Sequence, residues 1–157
     1  MKKRYIALML LIILLDQAVK ALIRGAMEPY ESMDVIGNIL SITYVQNTGA
    51  AFSMFRGMKW LLVILPVAAL GFGLWYMLKH DKEHWTMYLA ISLMISGGFS
   101  NLVDRVALGF VTDMFDVHFW PVFNVADIAI CVGCGILVIY ILRFCYKEPE
   151  KTEKADS

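Results

Sequence analysis

Residues 60–78 read WLLVILPVAALGFGLWYML, nineteen positions without one Asp, Glu, Lys or Arg. As a helix this run is about 28 Å long, close to the roughly 30 Å of hydrocarbon in a bilayer. Residues 85–103 are equally free of charge. Two further runs are apolar but interrupted: Tyr5 to Ile23 contains Asp16, Gln17 and Lys20, and Asn124 to Phe144 contains Asp127 close to its start. Four membrane spans are therefore predicted, at about 5–23, 60–78, 85–103 and 124–144. The composition agrees, with 59% hydrophobic and 18% charged residues; a water-soluble core is the weaker reading. The 14 basic and 14 acidic side chains cancel, so no overall basic field exists to attract nucleic acid.

Basic residues outside the spans or at their very ends give an orientation. Lys2, Lys3, Arg4, Lys79, Lys82, Arg143, Lys147, Lys151 and Lys154 fall on one side, and Arg24, Arg56, Lys59 and Arg105 on the other. The positive-inside rule then puts both termini in the cytoplasm and turns residues 24–59 and 104–123 outward. Lys2-Lys3-Arg4 before an apolar run also reads as a signal peptide. Apolar character resumes beyond Asp16, however, and residues 21–29 offer no convincing small-x-small cleavage site, so the first span is expected to stay. Residues 1–146 are expected to form one membrane-embedded domain, and the charge-mixed stretch 147–157 a disordered cytoplasmic tail.

The first outward segment has strand-like stretches at Asp34 to Ile36 and Leu40 to Val45 around a Gly37-Asn38 turn signal. They predict a small sheet on the membrane surface. The carboxylates are the candidates for chemistry, because ionisable groups inside a bilayer are costly and rarely idle. Asp104 lies about 28 Å along the third span and Asp127 only three residues into the antiparallel fourth, so both arrive at one depth near the outer surface. Two close carboxyls cannot both ionise cheaply; they share a proton, one activating water while the other polarises a carbonyl.

Each acid also has a plainer explanation. Asp127 with Asn124 makes a capping-box pair, Asp104-Arg105 can be a rim ion pair, and Asp16 with Lys20 reads first as a structural intramembrane ion pair. Cys131-x-x-Cys134 lacks a second ligand pair and sits among apolar residues, so helix packing is the expectation. His80, His84 and His118 are too scattered for a metal site, and neither a metal nor a cofactor is expected.

Asp16-Gln17-x-x-Lys20, Asn47-x-Gly49-Ala50-Ala51-Phe52, Asn101-x-x-Asp104-Arg105 and Phe123-Asn124-x-Ala126-Asp127 together resemble, in order and spacing, the signature blocks of lipoprotein signal peptidases. The resemblance covers about residues 5–145. It implies an all-α membrane protein of four transmembrane helices with a small extracytoplasmic β-sheet, the cradle, and a short surface helix after Asn47. It implies an aspartic endopeptidase of the bacterial cytoplasmic membrane, working near the extracytoplasmic face. The implied substrates are prolipoproteins, cut just before a diacylglyceryl-modified cysteine, with membrane lipid as the other partner. By the same resemblance Asp104 and Asp127 are the catalytic dyad; Asn47, Gly49, Asn101, Arg105 and Asn124 line the substrate site; Asp16 and Lys20 support it. Ser100 stands where such sequences usually have Gly, and Met114 where Phe is common, which puts local packing in doubt. A rival from another class, a small proton-coupled exporter, would spread its acids along a transmembrane path and leave the outward loops without a role.

Overall fold

In the computed structural model, which describes residues 2–49, 59–80 and 84–145, four helices have the length and apolarity to cross a membrane. They are α1 (Lys2–Ala26), α2 (Lys59–Lys79), α3 (Trp85–Ala107) and α4 (Val125–Tyr140), the last continued by a π-helical turn at Ile141–Cys145. A three-stranded antiparallel sheet, β1 (Ser32–Ile36), β2 (Leu40–Asn47) and β3 (Val111–Asp116), lies in the order β1-β2-β3. The expected surface helix after Asn47 and the tail 147–157 fall outside the described residues.

The bundle is apolar outside and polar within. Leu10, Leu14, Leu22, Phe72, Leu78 and Val138 are exposed, whereas Asp16, Lys20, Ser92, Ser96, Ser100, Asn101 and Asp104 are buried. In lipid no hydrophobic force drives helices together, so close backbone approach and interhelical hydrogen bonds must do it. The central helix α3 meets α4 in this way. A Cβ at Gly97 would fall on the Ala126 carbonyl oxygen and Ile130, and one at Gly133 would lie 2.8 Å from the Ala90 carbonyl oxygen. Because the obstacles include fixed backbone, Gly97→Ala should cost about 1–3 kcal/mol, the range for overpacking. A thermal-unfolding midpoint equal to that of the parent would contradict this packing. At the opposite end from the sheet, Tyr5, Met77, Tyr88, Ile91 and Ile95 form an apolar cluster, with the Tyr5 and Tyr88 rings 5.5 Å apart.

The hairpin forms where the turn signal stood, with Gly37 at φ 44°, a conformation that favours glycine. Two features depart from expectation. Helix α3 runs four residues past its expected end and closes on Gly109, whose φ of 82° and hydrogen bond to the Arg105 carbonyl make a left-handed cap. Immediately afterwards residues 111–116, expected to be part of a loop, form β3, pairing Asn47 with Val111 and Val45 with Asp113. The backbone N–H groups of Met114 and Phe115 both reach the Phe123 carbonyl, at 3.0 and 2.8 Å. This ties β3 to the entrance of α4. Cys131 and Cys134 are exposed on α4 and do not pack between helices.

Candidate active site

One face of α1 supplies a buried polar column. Asp16 and Lys20, four residues apart, pair at 2.8 Å and are fully buried. The Lys20 ammonium also reaches Asp104 Oδ2 at 3.2 Å and donates to Asn101 Oδ1 at 2.8 Å. Its three donors thus meet three acceptors. Asp16 accepts the backbone N–H of Ala126 at 2.8 Å, an anion held at the α4 N-terminus, where the helix dipole favours it. The Ser100 hydroxyl donates to Asp16 at 2.7 Å and accepts from Gln17 Nε2 at 3.0 Å. The serine that departs from the usual pattern is thereby part of the network. Met114 is simply buried.

Asp104 belongs to this column. It is 1% exposed and accepts from Gln17 at 3.0 Å and from the Thr112 backbone N–H at 3.1 Å, with Arg24 at 3.9 Å and Lys20 beside it. Two cations and two further donors turn it toward α1, where it ties α3 to α1 and β3.

A third acid, Asp113, which the sequence reading did not single out, is linked to Asp127 through the side chains of Asn124 and Asn101. Asn124 caps α4 by accepting the Asp127 N–H at 2.9 Å, while the Asp127 carboxylate accepts the Asn124 N–H at 3.2 Å. The expected capping box is therefore real. The same Asn124 side chain donates to Asp113 Oδ1 at 2.6 Å and to Asn101 Oδ1 at 3.2 Å. Asn101 in turn donates to Asp127 Oδ1 at 2.8 Å, and Asn47 to Asp113 Oδ2 at 2.9 Å. Burial and, after it, the charge of Asp127 push the Asp113 carboxyl up to about 7, against the hydrogen bonds from Asn47 and Asn124 and the charge of Lys20. An acid with that affinity can hold a proton at neutral pH and give it away.

Asn47, Asn101, Arg105, Asn124 and Asp127 thus converge, whereas Asp16, Lys20 and Asp104 lie behind them. Gly49 donates its N–H to Asn47 Oδ1 at 3.0 Å, and its carbonyl accepts from Arg105 Nη2 at 3.3 Å. The Arg105 guanidinium is within electrostatic reach of Asp127, Asp113 and Asp104. Its Nε is the one buried side-chain N or O without a hydrogen-bond partner among the described residues. Below these groups a cleft of about 550 Å³ opens between α2, α3 and α4, lined by Leu70, Gly73, Ile95 and Ile130, among others, with Asn101, Arg105 and Asp127 at its polar end. No cluster of three metal-ligating side chains occurs among the described residues.

Carboxyls sharing hydrogen-bonded amides at one end of an apolar cleft, within a bundle of four helices long and apolar enough to cross a membrane, make up a candidate active site of a polytopic membrane protein. Residues 8–143 match the family model described as signal peptidase (SPase) II, and the chain belongs to that family of membrane proteases. It is 42% identical over 142 residues to the lipoprotein signal peptidase of Clostridioides difficile strain 630, covering 89% of this chain and 95% of that one. It is 41% identical over 147 residues to that of Streptococcus pneumoniae strain R6, covering 91% and 96%. A bacterial membrane enzyme structure solved by the in meso method at 2.3 Å resolution superposes with a TM-score of 0.88 at 29% identity, covering 97% of this chain and 95% of the other.

Proposed function

We propose that this chain is an aspartic endopeptidase that removes signal peptides from bacterial prolipoproteins, cutting before the diacylglyceryl-modified cysteine, with Asp113 and Asp127 as the catalytic pair. The observation that carries the mechanism is a chain of two amides: the Asn124 side chain donates to Asp113 and to Asn101, and Asn101 donates to the Asp127 carboxylate at the polar end of the apolar cleft. Asp104, the partner expected from sequence, has its oxygens committed to Lys20, Gln17 and the Thr112 N–H. Two of those three partners lie on α1, whereas Asp113 is held by Asn47 and Asn124 and reaches Asp127 through the amides.

In this mechanism Asp127, ionised, takes a proton from water as the water oxygen attacks the scissile carbonyl carbon. Asp113 donates its proton to the carbonyl oxygen, giving a neutral tetrahedral diol. The carbon–nitrogen bond then breaks, the departing cysteine nitrogen takes the proton held by Asp127, and one diol hydroxyl returns a proton to Asp113. Arg105 and the asparagines hold neighbouring peptide groups. The apolar cleft takes the hydrophobic part of the substrate, whose backbone must be extended at the cut.

Both termini are cytoplasmic in this reading, supported by the excess of basic residues at that side, and the pair works near the extracytoplasmic face of the cytoplasmic membrane. Lipid on the cysteine fixes the depth of the scissile bond, contributing about 0.8 kcal/mol per buried methylene before losses. In proteoliposomes the diacylglyceryl precursor should be cleaved before its cysteine and the unmodified precursor at least roughly a hundredfold more slowly, the effect of misplacing a reacting centre. Equal rates would overturn the substrate assignment, and substrate-linked proton flux without cleavage would point to the exporter.

A further inference from the structure

We propose that Lys20 is a positioning residue for this reaction: together with Asn124, it fixes which end of the Asn101 side chain faces Asp127 and so aligns the carboxylate that receives the water proton. The proposal rests on the aspartic-peptidase reading above. A primary amide has one end that accepts and one that donates, with nearly the same shape, so its direction is set by what surrounds it. An ammonium can only donate. With Lys20 Nζ 2.8 Å from Asn101, the amide end there must be the oxygen, which turns the nitrogen to Asp127 Oδ1 at 2.8 Å. Reversal would set donor against donor at Lys20 and carbonyl oxygen against carboxylate at Asp127.

The second amide cannot undo this. Asn124 accepts the Asp127 backbone N–H through its oxygen, so its nitrogen must point to Asp113 and to Asn101 Oδ1. Two fixed donors, the Lys20 ammonium and a backbone N–H at the start of α4, therefore direct the whole amide chain, and through it the lone pairs left free on each acid. The charged groups around this chain are Asp16 and Lys20 on α1, Asp104 and Arg105 on α3, Asp113 on β3 and Asp127 on α4. Lys20 touches Asp16, Asp104 and Asn101; its charge also reaches Asp127 and Asp113 through space, and its hold on the orientation of Asp127 runs through Asn101.

Removing Lys20 alone would strand buried carboxylates and could unfold the protein for reasons unrelated to Asn101. The test therefore compares Asp16→Asn/Lys20→Gln with Asp16→Asn/Lys20→Met. Both have lost the same pair of charges, and only the glutamine can still donate to Asn101. Cleavage of the diacylglyceryl precursor is measured with thermal midpoints and folded fractions. At matched folded fraction, kcat should be roughly 10- to 100-fold higher in the glutamine variant, with KM little changed. Adding Asn101→Leu to both should erase the difference, since residues acting through one another are not additive. Rescue of the midpoint without rescue of kcat, or a difference that survives Asn101→Leu, would make Lys20 purely structural and overturn the proposal. Failure of the parent enzyme to cleave would instead overturn the underlying peptidase reading.

Discussion

Asp113→Asn and Asp127→Asn should each reduce turnover of the lipid-modified precursor by at least roughly a thousandfold, and the double variant should be little worse than either single one. The reason is the shared proton. With one carboxyl replaced by an amide, the pair can no longer hold one proton for the carbonyl oxygen and one vacancy for the water proton. Removing the second carboxyl then takes away nothing that still functions. The loss should lie in kcat, because both side chains meet the substrate mainly where charge develops. Membrane insertion and helix content should be retained, since the Asn124 cap on α4 keeps its acceptor oxygen. Multiplying losses in the double variant would mean that the two acids act in separate steps.

The second large effect is on stability, and it has a defined sign. The Asp113 carboxyl holds its proton up to about pH 7 in the folded protein, against an ordinary 3.8. Between about pH 4 and 7 the folded state therefore binds more protons than the unfolded chain. Stability falls as pH rises through that window and levels off above it. A tenfold change in proton affinity is worth about 1.4 kcal/mol, so ionising Asp113 in the folded protein costs on the order of a few kcal/mol once its surroundings relax around the charge. Asp113→Asn has no such proton to lose. The difference in thermal midpoint, variant minus parent, should move in the variant's favour by roughly 5–10 °C between pH 5 and pH 8. Tryptophan fluorescence in detergent would report it, and a difference independent of pH would remove Asp113 from the shared-proton role.

The four spans were legible because lipid imposes a harsh rule: about twenty apolar residues in a row admit few other structures. The hairpin was legible from Gly37-Asn38, a local turn signal. Strand β3 was not, because its pairing with β2 joins Val45 to Asp113 across more than sixty residues of chain, and Asp113 and Asp116 make the segment look like solvated loop. The site was legible in composition but not in azimuth. Counting helical rise put Asp104 at the right height, yet Ser100 and Asp104 share one stripe of α3, facing α1, while Asn101 and Arg105 share the next, facing the cleft. One residue of helical phase, about 100°, separates the Asp104 carboxylate from the residues that line the cleft. That phase was available in the sequence. What was missing was the knowledge that residues 111–116 fold back as a strand and bring a third acid to Asn124.

The most direct measurement is single-turnover cleavage of the purified diacylglyceryl precursor by Asp104→Asn and Asp113→Asn, each corrected for its folded fraction. Asp113→Asn should be folded and show only the uncatalysed background. Asp104→Asn should be less stable, having lost one of the two carboxylates paired with Lys20, yet should cleave well above background in its folded fraction. Background activity from stable, folded Asp104→Asn, together with measurable turnover by Asp113→Asn, would restore Asp104 to the dyad and contradict the account.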